Sequence, residues 1–247
     1  SSSTPECISI SWLHVIREQP VYLKSYQGIF SSNNFARKCK EFLLRIIRLV
    51  LWLKKITISL LTIKLDSKYK FQKKCQIDYL FVSHLVKNSQ YDGENDFYFG
   101  DTFGSLLDAN KTSFVALLNP KNVVHFGNQG AFGDGITPHF VMSNKLRLKD
   151  EFSIFCRLIK ESFRLRRLSI NRKGLSKNVL LKASDEALSQ LSANNFRIAI
   201  QIQSLVKKIR PKFIVVTHEG HAWERLSFSM ARSVCPDIRC IAYQHTS

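Results

Sequence analysis

Phe213–Ile214–Val215–Val216–Thr217, running into His218–Glu219–Gly220–His221–Ala222–Trp223–Glu224, is the stretch on which the reading of this chain turns. Five β-branched and aromatic residues in succession, without polar alternation, predict a strand buried on both faces, as parallel sheets require. Gly220 supplies a flexible turn from which a helix can start, and a helix is predicted over Ala222–Val234. Pro236–Asp237 marks the next turn. Ile238–Tyr243 then repeats the pattern of an apolar strand, with Gln244 and His245 at its carboxyl end. Open α/β sheets bind their ligands outside the carboxyl ends of the strands. Glu219 and His245 are therefore expected to face one crevice.

Working outward, Ile77–His84 has the same strand character. A polar loop over Lys87–Asp96 follows, and Phe97–Tyr98–Phe99–Gly100 leads into Asp101, a suitable N-cap for a short helix to about Asn110. Ser113–Leu118 reads as a second buried strand, so strand, helix and strand within some forty residues form a βαβ unit. Pro120–Pro138 carries four glycines and reads as loop, with Val123–Phe126 and Phe140–Met142 as short strands. Phe152, Phe155, Cys156, Ile159 and Phe163 keep three- and four-residue spacing, which predicts a helix over Asp150–Leu168 with one apolar face. A basic loop and a long helix, Asp185–Ile209, are expected next, with Pro211 stopping the helix. Strand, helix and strand from Phe213 to Tyr243 complete a second βαβ-like unit.

The composite is an α/β domain over residues 77–247, a Rossmann-like, mostly parallel but incomplete sheet flanked by helices. Residues 1–76 precede it as a basic, amphipathic helical region ending in a lysine-rich linker. Ser83–His84–Leu85 stands where a dinucleotide-binding strand would carry GxGxxG, and no GxxxxGK[ST] occurs. These absences argue against a dinucleotide dehydrogenase and a P-loop nucleotidase.

The 247 residues are 45% hydrophobic and carry a net charge of +18. That charge is concentrated: residues 1–76 hold 14 Lys/Arg against 4 Asp/Glu and residues 151–212 hold 14 against 4, whereas the intervening and final stretches are nearly balanced. Alternating basic and neutral segments argue against a uniformly basic nucleic-acid surface. Within Lys40–Leu65, Arg45, Arg48, Lys54 and Lys55 interrupt the apolar run before it reaches the roughly 18 uncharged residues of a spanning helix. A basic amphipathic helix there either lies in an anionic membrane interface or packs into the core. The second basic stretch, Arg157 to Lys182, is either a solvated face or a surface for phosphate, anionic glycan or membrane. Six scattered cysteines without a CxxC pair fit a reducing, cytoplasmic setting. No secretory signal opens the sequence as given, which starts at Ser1 without methionine and is expected to be a fragment.

Several residues could carry chemistry. Glu219, at a strand end beside a helix N-terminus, could act as general base, bind a sugar hydroxyl, or simply cap the helix. His218 and His221 with Glu224 resemble a metal set only superficially, because a zincin needs HExxH on one helix and HEGH has the wrong spacing. His221 near a helix N-terminus is expected to be neutral. Trp223 could stack on a sugar or base or pack in the core. Gln244 and His245 offer neutral donors and acceptors, and Ser83 and His84, at the end of the first strand, are candidates of the same type, as are Tyr98 and Asp101. Neither a GxSxG elbow nor a cysteine with an evident base partner is present.

Glu219–Gly220–His221–Ala222–Trp223–Glu224, the following Ala231–Arg232 and Tyr243–Gln244–His245 resemble the E-G-x-x-W-E … A-R … G-Y-Q-H signature of bacterial surface-carbohydrate (capsule or O-antigen) biosynthesis proteins, which are similar to GT-B-class glycosyltransferases. Phe81–Val82–Ser83–His84 and Tyr98–Phe99–Gly100–Asp101 resemble that family's opening strand and the approach to its first helix. Ala242 replaces the usual glycine, and Thr246–Ser247 replaces the glycine that commonly follows the histidine.

The resemblance implies the acceptor-side domain of a two-domain transferase whose donor domain lies outside this chain. Its implied co-substrates are a nucleotide-sugar donor and a glycan or lipid-linked acceptor, with no further cofactor and no metal. Glu219 and His245 would be catalytic. His218, Gly220, His221, Trp223, Glu224, Gln244, Ser83 and His84 would line the substrate cleft. The basic helices would dock on the cytoplasmic membrane face. A non-catalytic, membrane-associated assembly module is the rival reading, and a nucleic-acid-binding protein the third.

Overall fold

The computed structural model describes residues 4–17, 19, 43, 47, 50, 54, 77–86, 90, 96–118, 137–142 and 146–244. The short strand expected at Val123–Phe126, the linker over 66–76, His245 and all but four positions of Lys40–Leu65 lie outside them. Those four, Leu43, Ile47, Val50 and Lys54, are helical and exposed.

The chain packs as two compact units, each discontinuous in sequence: residues 1–62 with 147–196, and residues 63–146 with 197–247. The first strand of the sheet begins at Tyr79, and the segment 147–196 groups with the N-terminal residues.

In the second unit, β1 (Tyr79–His84), β2 (Ser113–Leu118), β3 (His139–Val141), β4 (Phe213–Thr217) and β5 (Arg239–Tyr243) form an all-parallel sheet in the order β3-β2-β1-β4-β5. The expected α/β, Rossmann-like architecture is thus present. Alternate residues of the inner strands supply two apolar layers, whereas β5 at the edge is mostly exposed. Leu80, Val82, Phe114, Ala116, Ile214 and Val216 pack with Ile202, Leu205, Val206, Trp223 and Ala231. Phe81, Val115, Leu117, Val141 and Val215 face the other way, toward Phe99 and Phe103. Helix α3 (Thr102–Asp108) brings Phe103 to that second layer, with Asp101 preceding it but making no side-chain cap.

At the amino ends of the strands, Asp78 ties three of them together. Its carboxylate accepts hydrogen bonds from Thr112 N and Thr112 Oγ1, both at 3.1 Å, and pairs with Lys212 Nζ at 2.7 Å. These contacts, Lys212 foremost, depress the Asp78 carboxyl to about 2 from an ordinary 3.8.

The first unit is helical among the described residues. α1 (Pro5–Ser9) starts at Thr4, whose side chain accepts from Cys7 N at 3.3 Å, and α2 (Trp12–Arg17) follows. α4 (Leu148–Ile170) packs on α5 (Gly174–Ala187). Ile10, Val15, Leu165, Ala183 and Ala187 form the unit's core, and Arg157 Nε donates to Glu6 at 2.6 Å.

Three expectations fail here. Residues 174–184 form a helix rather than a basic loop, because Val179, Leu180, Ala183 and Ala187 give one apolar side between the lysines. The helix expected over Asp185–Ile209 is broken at Leu188–Ser189. Ser189 Oγ accepts from Ser192 N at 3.1 Å, capping a new helix, α6 (Gln190–Ile209). Lastly, α4 buries a different face from the one its phenylalanines suggest. Ile154, Leu158 and Leu165 are buried together with Glu151, Glu161, Ser162 and Ser169, while Phe152 and Phe163 are 59% and 69% exposed. Polar partners make the inner face possible: Ser162 Oγ meets Ser184 Oγ at 2.9 Å, and Glu161 receives two 2.7 Å bonds from Arg164.

Candidate functional site

The strand order places a topological switch between β1 and β4. From β1 the chain moves to β2 and β3 on one side, and it later re-enters at β4 on the other side before reaching β5. A crevice opens at such a point because the connections leave the carboxyl ends in opposite directions. His84 ends β1, and Glu219, Gly220 and His221 form the turn after β4.

That turn is built around Glu224, in the first turn of α7 (Ala222–Val234). Glu224 is only 1% exposed. The backbone N–H groups of Glu219, Gly220 and His221 donate to its carboxylate at 2.9, 3.1 and 3.0 Å, and His218 Nδ1 lies 2.9 Å from Oε2. The reach back from the third helical residue to the N-cap N–H is half of a capping box, here extended over two further residues. Gly220 sits at φ +84°, a left-handed conformation that other residues adopt at a cost. Glu224, expected from the sequence to line the substrate cleft, has its oxygens committed to the backbone.

The same turn pushes Glu219 outward. Its side chain is 50% exposed, and His221 Nε2 lies 3.3 Å from Oε2. His84 faces this pair. Burial holds its imidazole below the ordinary value, Glu219 pulls it partly back up, His221 adds to the lowering and Asp96 opposes it. A depressed pKa keeps His84 neutral at pH 7, able to donate from one nitrogen and accept at the other. Its ring stands edge-on to Trp223 at 5.5 Å and 5.8 Å from Tyr98. Burial, then Glu219 and Asp96, push the Tyr98 hydroxyl upward, so it remains a donor.

Trp223 is buried in the core layer, only 5% exposed, and meets His84 in a T-shaped contact, so it supports the wall from within. Ser83 is fully buried and donates to Asp96 Oδ1 at 2.8 Å. Asp96 also accepts from the N–H groups of Tyr98 and Phe99 at 2.8 and 3.1 Å and from Gln90 Nε2 at 3.0 Å. Ser83, expected from the sequence to line the cleft, is buried and helps fix the loop carrying Tyr98. Gln90 and Asp96 were missed from the sequence. The signal for Asp96 was available, since Asp commonly accepts from the backbone N–H two residues on.

Thr217 ends β4 on the Val215 face, and its Oγ1 is a buried hydroxyl with no hydrogen-bond partner among the described residues. Gln244 follows β5 and is exposed. Of the expected residues, the structure thus brings together Glu219, His221 and His84, with Tyr98 beside them, and gives His218, Trp223, Glu224 and Ser83 supporting positions. No group of three or more His, Cys, Asp or Glu among the described residues is arranged to hold a metal ion. No described helix is long and apolar enough to cross a membrane. Comparison with family models, curated proteins and solved structures gives no match.

Proposed function

We propose that this chain is the acceptor-side domain of a GT-B-like glycosyltransferase that moves a sugar from a nucleotide-sugar donor to a surface polysaccharide or lipid-linked acceptor at the cytoplasmic side of the membrane. The observation that carries the reading is the convergence of Glu219, His221 and neutral His84 on the switch point between β1 and β4. Transfer to a hydroxyl needs a group that takes the acceptor proton as the new glycosidic bond forms. An exposed carboxylate with an imidazole 3.3 Å away is equipped for this: Glu219 receives the proton, His221 stands beside the carboxylate, and neutral His84 orients the hydroxyl. Tyr98 and the orphan hydroxyl of Thr217 add polar groups near the ends of β1 and β4. His245 is assigned with Glu219 to the reacting side and Gln244 to acceptor binding, on the sequence pattern.

The test is transfer of radiolabel from a set of nucleotide sugars to lipid-linked oligosaccharide by the full-length protein. Label transfer that is abolished by Glu219→Gln while the fold persists is the expected result. Transfer that continues at an undiminished rate in that variant, or no transfer from any donor, overturns the assignment.

A further inference from the structure

The outer face of α4 carries exposed apolar residues that the core leaves uncovered. Phe152, Cys156, Ile159, Phe163 and Ile170 follow at steps of four, three, four and seven residues, which aligns them in one stripe about 27 Å long. Phe152, Phe163 and Ile170 are 59%, 69% and 73% exposed. Lys149, Lys160 and Arg167, all exposed, repeat at eleven and seven residues and form a row directly beside the stripe.

The carboxylates of this helix avoid that face. Glu151 and Glu161 are buried on the opposite side, and Asp150 projects nearer to them than to the phenylalanines. Beyond the helix, exposed Arg172, Lys173 and Lys177 continue the positive charge. Residues 147–187 hold 11 Lys/Arg against 5 Asp/Glu.

We infer that α4 docks this protein on an anionic lipid bilayer, lying in the plane of the interface with Phe152, Phe163 and Ile170 among the acyl chains and Lys149, Lys160 and Arg167 at the headgroups. Charge selects this occupant. A second copy of the chain would set one cationic row near another, whereas an anionic surface neutralises the row and accepts the aromatic stripe. The stripe is too narrow and too interrupted by cations for burial inside a bilayer, and it matches an interfacial helix, whose long cationic side chains reach the headgroups from beside the apolar residues. This surface belongs to a different unit from the switch-point residues and does not rest on the transferase reading.

The experiment is sedimentation of the full chain with vesicles of phosphatidylcholine alone or mixed with phosphatidylglycerol, across a salt series. Binding is expected only with the anionic lipid, weakening as salt rises. Lys160→Gln with Arg167→Gln is expected to weaken it roughly twenty- to thirtyfold, at about fivefold per cation. Phe152→Ser with Phe163→Ser is expected to weaken it at least about tenfold. Both pairs are on the surface and should leave the thermal midpoint within about 2 °C. As a direct reading of insertion, Phe163→Trp should add a blue-shifted emission component with anionic vesicles only. Absence of binding, equal binding to neutral vesicles, or undiminished binding by either double variant overturns the proposal. So does a stronger preference for RNA or DNA, or loss of a dimer in the phenylalanine variant.

Discussion

Replacing Glu224 with alanine should release the turn that presents Glu219. Three backbone N–H groups, at 2.9, 3.1 and 3.0 Å, would lose their acceptor, and His218 would lose its neighbour at 2.9 Å. Hydrogen bonds to a charged acceptor contribute about 1.5–3 kcal/mol each when their loss leaves a group unsatisfied. The turn residues are only part-buried, so water replaces much of what is lost, and about 1 kcal/mol per N–H is the reasonable scale. The expected cost is therefore about 3 kcal/mol, above the usual range for losing a single N-cap. Glu224→Gln keeps one oxygen acceptor but turns an NH2 toward backbone donors, and should cost about 2 kcal/mol. Urea unfolding followed by tryptophan fluorescence measures this. With a slope of about 3 kcal/mol per molar, the alanine midpoint should fall by roughly 1 M. A fall below about 0.3 M for alanine would refute the view that this carboxylate organises the turn. So would a glutamine variant less stable than alanine.

Asp78 makes a pH prediction at the opposite end of the sheet. Its folded pKa of about 2 lies below the ordinary 3.8, so the stability it contributes is complete above about pH 4 and is lost as pH falls toward 2. Asp78→Asn should thus be less stable than the parent at neutral pH and converge with it near pH 2, read by thermal midpoints; a constant difference across that range would refute the linkage. For His84, proton NMR titration should give a midpoint below 6.5, and Glu219→Gln should lower it further, because the carboxylate now favours the imidazolium. An unmoved or raised His84 midpoint in that variant would show that Glu219 does not act on it.

The sheet was legible because its strands are continuous apolar runs bounded by polar residues: Ser113–Leu118 and Phe213–Thr217 have the bounds the sequence implies, as does α7. A buried parallel strand leaves little room for another reading. The helices of the first unit were less legible because their inner surfaces are not the most apolar ones. Ser162, Ser184 and Glu161 occupy buried positions through mutual hydrogen bonds and an arginine partner, so hydrophobic period alone points to Phe152 and Phe163. The break at Ser189 was hidden for a similar reason: one hydroxyl accepting from Ser192 N begins a helix where the pattern of apolar residues continues.

The candidate site shows why residue type at a strand end does not assign a role. Glu219 and Glu224 lie five residues apart in one motif, and both read as acids beside a helix N-terminus. Their roles diverge through the backbone. With Gly220 at φ +84°, the chain curls so that the N–H groups of 219, 220 and 221 converge inward on one carboxylate, and the helix places Glu224 there. The same curl turns the Glu219 side chain out toward His221 and His84. Burying one carboxylate against three donors is what leaves the other exposed. The two glutamates are thus a support and a presented group, and a substitution at Glu224 should damage the site by moving Glu219, whereas one at Glu219 should leave the turn intact.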